Sequence, residues 1–347
     1  MKFSIVSVII PTRNEEKFIE KCINSLLNTD YPKEKIEILV VDGLSEDNTR
    51  EIVKKLSQKH KNIKLLMNCK KKKSPALNIG IKNSSGEIIL IADAHSTYQK
   101  NYILKNVEHL LTSDAHNVGG VINVLPRRNS SKAKAISLCL SHPFGTGGAS
   151  YRRKITEPKY VDTVPFGCYK REVFEKLGGF NEKLDRNMDI EFNLRMKKNG
   201  YKIMLFPDIK INYFARDNFK DLFKNNFQNG VWVILSTKYA KKAFSFRHLV
   251  PLFFVLFLIS ILFIFKFTIL KTFYFSILGL YLILNIFFSL KIAVKEKSFL
   301  IFFYSFLSFL ILHISYGLGS LVGIFKRFFI KEWYKCISQK VQILEKM

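Results

Sequence analysis

The sequence predicts an α/β fold: a mainly parallel sheet with helices on both faces, followed by an amphipathic helix and apolar C-terminal helices. Three observations predict it. Short β-branched runs alternate with stretches of helical apolar spacing along the N-terminal part of the chain. Polar and acidic residues stand directly after those runs. The composition then changes abruptly: residues 1–240 hold 41 Lys+Arg and 25 Asp+Glu, whereas residues 241–347 hold 14 and 3, with 20 of the 32 Phe. A charged globular part is joined to an aromatic, nearly acid-free one. The whole-chain mean hydropathy of +0.06 averages over the two, and 14% aromatic residues exclude a disordered chain.

The run 6–10 (VSVII) is stopped by Pro11 and reads as a buried strand. Phe18, Ile19, Cys22, Ile23, Leu26 and Leu27 then keep helical spacing. A second strand at 36–41 precedes a helix marked by Ile52, Val53 and Leu56, and 63–67 is a third strand. It leads through a basic loop, 70–73, to Pro75, which suits the first turn of a helix carrying Ala76, Leu77 and Ile79. The fourth strand, 88–92, ends on Asp93. Alternation of this kind implies a parallel sheet, whose ligands bind beyond the carboxyl ends of the strands. Thr12, Asn14 and Glu15, then Asp42, then Asp93 and His95 occupy those ends.

No P-loop and no G-x-G-x-x-G follows the first strand, so P-loop and Rossmann dinucleotide readings lose support. Asp93 and His95, two residues apart on an extended segment, point to the same side. A carboxylate and an imidazole so placed suit a hard divalent ion shared with phosphate oxygens, manganese included. A strand-end Asp is also common as a helix cap, and taken alone the pair favours that reading. The five Cys are scattered without a C-x-x-C pair, which suits a reducing compartment. The +27 charge is spread along the chain rather than gathered in a binding module, so no nucleic-acid partner is expected.

Residues 6–15 (VSVIIPTRNE), 40–49 (VVDGLSEDNT), 76–80 (ALNIG), 86–95 (GEIILIADAH) and 164–182 (VPFGCYKREVFEKLGGFNE) resemble, in order, the motifs of family 2 glycosyltransferases of GT-A fold. The membrane-bound bacterial subgroup with the succinoglycan glucosyltransferases is the nearer resemblance. It implies an inverting transfer of a sugar from a nucleotide-diphosphate donor, a UDP-sugar, to a lipid-linked glycan or polyprenyl phosphate. By resemblance, Pro11, Thr12, Asn14 and Glu15 form the nucleoside loop, although Glu15 also suits a helix N-terminus. Asp42 holds the uracil or ribose edge, while Ser45 and Asp47 shape the turn. Lys72 or Lys73 approaches the pyrophosphate, with Lys73 and neighbouring Asn78 assigned to the donor site. Asp93 and Ala94 complete the nucleotide-sugar set, and Asp93 with His95 stands in place of the D-x-D metal motif, for Mn2+ or Mg2+. Asp189 falls on the catalytic base, and Met188 departs from the acidic residue usual before it. Residues 142–148 resemble a mobile segment over the donor. Two other readings stay open: a polyprenyl-phosphate sugar synthase, which needs no base, and a catalytically silent membrane scaffold.

The expected organisation is a catalytic domain at 1–216, an amphipathic interfacial segment at 217–247 that contacts membrane lipid, three hydrophobic segments within 248–325, and a basic tail at 326–347. Lys238, Lys241, Lys242 and Arg247 precede the first hydrophobic segment and place the catalytic domain on the cytoplasmic face of a multi-pass inner-membrane protein. The side of the tail, with Lys326, Arg327, Lys331 and Lys335, stays open.

Overall fold

A computed structural model describes the backbone of residues 3–153, 155–239, 248–264 and 266–344, and side chains as far as 328. Lys241, Lys242, Arg247 and the side chains of Lys331 and Lys335 lie outside the described residues. In chain order the elements begin β1 (Val6–Thr12), α1 (Ile19–Leu27), β2 (Ile36–Asp42), α2 (Thr49–Lys59), β3 (Ile63–Met67), α3 (Lys73–Lys82), β4 (Ile88–Ile91), β5 (Ser96–Tyr98) and α4 (Tyr102–Thr112). There follow β6 (Asn117–Pro126), α5 (Ser131–Ser141), α6 (Pro143–Thr146), β7 (Lys159–Tyr160), β8 (Cys168–Lys170), α7 (Arg171–Leu177), α8 (Met188–Lys198) and β9 (Ile203–Ala215). The chain ends with α9 (Phe219–Leu235), α10 (Val250–Ile264), α11 (Thr268–Lys295) and α12 (Phe299–Leu344).

Two compact units result, one of residues 1–125 and 149–214, the other of 126–148 and 215–347. The first is α/β, as expected. Its sheet runs β3-β2-β1-β4-β8-β6-β9-β5, with β7 paired to β9. The four strands read from the sequence are parallel, whereas β8 pairs antiparallel with β4 and with β6, and β5 with β9. The sheet is therefore mixed, its parallel half carrying the strand ends picked out by sequence. Every residue of β2 is buried, as is every residue of β1 except Pro11, the mark of strands covered on both faces. Val8, Ile10, Ile38 and Val40 pack with Ile19, Ile23 and Leu26 of α1, each contributing about 1.5–3 kcal/mol by leaving water. The register sets Thr12 beside Asp42 and Asp42 beside Met67, which aligns the carboxyl ends.

In the second unit α5 buries Ala135, Ile136 and Cys139 against Leu222 of α9 and Phe309 and Leu312 of α12. Residues 126–148, expected with the catalytic domain, are thus grouped with the C-terminal helices, where their apolar faces are covered. Helix α9 also packs along α12: Gly230 meets Tyr316 and Ser320, and Gly319 meets Phe227. Its Lys220 and Lys224 remain exposed. The three hydrophobic segments are helical. Two, Thr268–Lys295 and Phe299–Phe328, are long and apolar enough to cross a membrane, and Val250–Ile264 is shorter.

Candidate active site

The loops after β1 and β2 are laced together. Asn14 takes the left-handed conformation, φ 54°, which Asn tolerates better than most residues. Its N–H donates to Ser45 Oγ at 2.9 Å, and its Oδ1 accepts from Glu46 N at 2.9 Å. Ser45 in turn donates its hydroxyl and its N–H (2.9 Å) to the two oxygens of Asp42. Glu15 N donates to Thr49 Oγ1 at 2.8 Å, and Thr49 donates to Asp47. Burial pushes the Asp47 carboxyl up, but hydrogen bonds from Thr49 and from the Glu16 N–H outweigh it and hold it below its ordinary value. Asp42 is fully buried. Each of its oxygens already accepts one hydrogen bond and keeps a second lone pair.

Beyond these strand ends lies a cleft of about 180 Å³, lined by Pro11, Thr12, Arg13, Gly43, Asn68, Lys71–Lys73, Ala76 and Asp93. The Thr12 hydroxyl is buried in this lining with no hydrogen-bond partner among the described residues, a polar atom that a ligand could satisfy. The basic loop meets three carboxylates: Lys70 pairs with Glu182 at 2.6 Å, Lys72 with Asp185 at 2.7 Å, and Lys73 approaches Asp93 at 3.9 Å. Lys73 is thereby placed at the cleft beside Asp93.

Asp93 is anchored through its backbone. Its N–H donates to the Tyr98 hydroxyl at 2.7 Å, and its carbonyl accepts from Ser96 N at 3.1 Å. Ala94, within this turn, is buried. Burial pushes the Cys22 thiol up, the charge of nearby Asp93 adding to it, so this cysteine is an inert neighbour. His95 Nε2 stands 3.1 Å from Asp93 Oδ2, and its Nδ1 stands 3.1 Å from Glu15 Oε1. Two neighbouring donors on an octahedral ion with bonds of about 2.1 Å are about 3 Å apart. The carboxylate–imidazole pair therefore fits a divalent metal in spacing and donor chemistry. Among the described residues no group of three or more His, Cys, Asp or Glu is placed to hold a metal ion, so the protein's donors at this point are the two of the Asp93–His95 pair.

The other expected residues sit apart. Asn78 is committed to the chain: Nδ2 donates to Phe180 O at 2.9 Å and to Glu182 Oε1 at 3.0 Å, and Oδ1 accepts from Phe180 N at 2.8 Å. Asp189 stands exposed on the first turn of α8. Burial and, next, the charge of nearby Asp189 push the Tyr169 hydroxyl up. The segment before α8 is tied to the cleft by the Lys72–Asp185 pair and by Ser74 Oγ donating to Leu184 O at 2.6 Å. Met188, where an acidic residue is usual, is 5% exposed and belongs to the core. Sequence reasoning missed Arg13, Asn68 and Lys71 in the cleft lining. Asn68 follows the third strand, so the strand-end rule that found Asp42 applies to it as well.

A mixed sheet with acidic strand ends around such a cleft defines the class, and comparison with known proteins agrees. The family model described as glycosyl transferase family 2 matches residues 7–178. A dolichyl N-acetyl-alpha-D-glucosaminyl phosphate 3-beta-D-2,3-diacetamido-2,3-dideoxy-beta-D-glucuronosyltransferase of Methanococcus voltae is 33% identical over 267 residues, covering 75% of this chain and 81% of that protein. The succinoglycan biosynthesis protein ExoA of Rhizobium meliloti is 28% identical over 225 residues, covering 64% and 67%. The solved mannosyltransferase PcManGT of Pyrobaculum calidifontis, in complex with GDP-Man and Mn2+, shares the fold at a TM-score of 0.62 and 19% identity, over 92% of this chain and 87% of that one. The chain belongs to glycosyltransferase family 2 and has the GT-A fold. It is a hexosyltransferase.

Proposed function

We propose that this enzyme is an inverting transferase that moves a sugar from a UDP-sugar to a hydroxyl of a lipid-linked glycan at a membrane. The observation that carries the reading is the cleft, in which the unpartnered Thr12 hydroxyl, the Lys72 and Lys73 cations and the Asp93 carboxylate share one lining. Thr12, with Pro11 and Asp42, receives the nucleoside, and the lysines face the diphosphate. Asp93 and His95 would hold Mn2+ or Mg2+, which when bound supplies Lewis-acid stabilisation of the diphosphate charge. Asp189 accepts the proton of the acceptor hydroxyl as its oxygen attacks the anomeric carbon from the face opposite the diphosphate. The bond to the acceptor oxygen forms, the bond to the diphosphate oxygen breaks, and the electron pair leaves with the nucleotide. The M. voltae relative is named for a dolichyl-phosphate-linked acceptor, helices α11 and α12 suit a multi-pass placement, and the cations that precede the first hydrophobic segment in the sequence favour a catalytic unit on the cytoplasmic side.

The test is donor hydrolysis by the purified full-length protein with UDP-glucose, UDP-N-acetylglucosamine and GDP-mannose, each with Mn2+ or Mg2+. The reading expects a UDP-sugar to be consumed and chelation to stop the reaction. Preference for the guanosine donor would overturn the uridine assignment. Turnover that persists in EDTA would overturn the metal assignment.

A further inference from the structure

We infer that Glu15 is a positioning residue whose carboxylate takes the Nδ1–H of His95 and so presents the Nε2 lone pair to the divalent cation shared with Asp93. The inference rests on the metal reading proposed above and deepens it.

The three side chains form one linked group, each of low exposure: 16% for Glu15, 13% for His95 and 11% for Asp93. Glu15 is fixed from its backbone, its N–H bonded to Thr49 and its carbonyl accepting from Phe18 N and Ile19 N, both at 2.9 Å. The His95 ring lies against Tyr213 with centroids 5.0 Å apart, and its carbonyl accepts from Phe214 N at 3.1 Å. Ring and carboxylate thus meet because two separate strands and a loop hold them there. A carboxylate oxygen stands 3.1 Å from each ring nitrogen. With Nδ1–H given to Glu15, the Nε2 lone pair is on the side of Asp93 Oδ2, where one cation can be held by both atoms. Histidine ligands are commonly held in this way by a carboxylate on the other nitrogen, and loss of that partner typically costs roughly 10–100-fold in metal affinity.

The experiment measures Mn2+ binding to the detergent-solubilised full chain by electron paramagnetic resonance, with UDP present, for wild type, Glu15→Ala, Glu15→Gln and His95→Ala. Nitrogen-14 modulation of the bound Mn2+ signal reports the imidazole directly, and UDP affinity in EDTA reports the nucleotide site. Glu15→Ala is expected to weaken Mn2+ binding roughly 10–100-fold and to lose the nitrogen signal, with UDP affinity in EDTA unchanged. Glu15→Gln, whose amide oxygen still accepts from Nδ1–H, is expected to restore most of both. Unchanged Mn2+ affinity and nitrogen signal in Glu15→Ala would overturn the inference while leaving the metal reading intact. Loss of UDP affinity in EDTA would return Glu15 to nucleotide contact. Failure of the wild type to bind Mn2+ at all would sink the metal reading and this inference with it.

Discussion

His313 donates its Nε2–H to the carbonyl oxygen of Phe144 at 2.7 Å, while its Nδ1 lies 2.9 Å from the Tyr281 hydroxyl. A carbonyl only accepts, so the proton sits on Nε2, and Tyr281 must be the donor to Nδ1. The Phe144 ring is packed among Phe288, Phe309 and His313 at centroid distances of 5.0, 5.0 and 4.9 Å. The segment 142–148, expected as a mobile cover for the donor, is instead pinned to α11 and α12.

His313→Ala should therefore release that segment. It strands the Phe144 carbonyl and the Tyr281 hydroxyl, at a cost of about 1–3 kcal/mol for each buried group left unsatisfied. Hydrogen exchange should accelerate over residues 143–148, with the amides of β1 and β2 unaffected. Exchange at the wild-type rate would mean that the aromatic packing alone holds α6.

The parallel half of the sheet was legible because its strands are continuous β-branched runs, such as Ile36–Asp42, each ending on a polar residue. The antiparallel half was not. Strands of three residues, Ser96–Tyr98 and Cys168–Lys170, carry no periodicity and owe their existence to partners far along the chain. The site divides in the same way. Asp42, Asp93 and His95 follow from their strands, but the Glu15–His95 contact spans 80 positions, and nothing local signals it. Asn78 reads as a polar neighbour of the lysines until the turn at Phe180 claims its amide.

Asp189→Asn should reduce transfer by about 10²–10⁴-fold, the range of general base catalysis. Asp189 is exposed on the first turn of α8, so the fold should not suffer. UDP affinity is expected to match the wild type. Full transfer by the variant would remove Asp189 from the role of base and favour a phosphate acceptor, which attacks without one.

Glu37 makes stability depend on pH. Burial pushes its carboxyl up, but bonds from Ser7 Oγ (2.6 Å), from the N–H and hydroxyl of Ser85, and from Lys64 Nζ (3.2 Å) outweigh it and hold it below its ordinary value. A carboxyl with a lower pKa folded than unfolded binds fewer protons in the native state. Its contribution is therefore present above the unfolded value, ~4.3, and is lost as pH falls through the folded one. Glu37→Gln should cost about 1.5–3 kcal/mol near neutrality, as expected for hydrogen bonds to a charge. Thermal melts of both proteins should converge on acidification. A gap that stays constant into the acid range would show that the charge is not what the serines and Lys64 recognise.

Helices α9 and α12 approach backbone to backbone, and glycine is what permits it. A Cβ on Gly230 would stand 2.1 Å from the Tyr316 carbonyl oxygen, and one on Gly319 would stand 2.0 Å from that of Phe227. Gly319 and Gly323 are four apart and so share a helix face, the spacing that lets apolar helices meet closely. A carbonyl within a helix cannot swing aside as a side chain can, so even one methyl group must push the two helices apart. The Asn226 amide, which donates to Ser315 Oγ at 3.0 Å across the same seam, would be stretched with them. Gly230→Ala and Gly319→Ala are each expected to cost about 1–3 kcal/mol by overpacking, read as a lower melting temperature in detergent. Gly279 on α11 is the control, because a Cβ there meets nothing within 4 Å. Helix propensity alone favours Ala over Gly by about 1 kcal/mol, so Gly279→Ala should be neutral or stabilising. If all three variants melted alike, glycine at 230 and 319 would be a matter of propensity rather than contact, and the close seam between α9 and α12 would have to be abandoned.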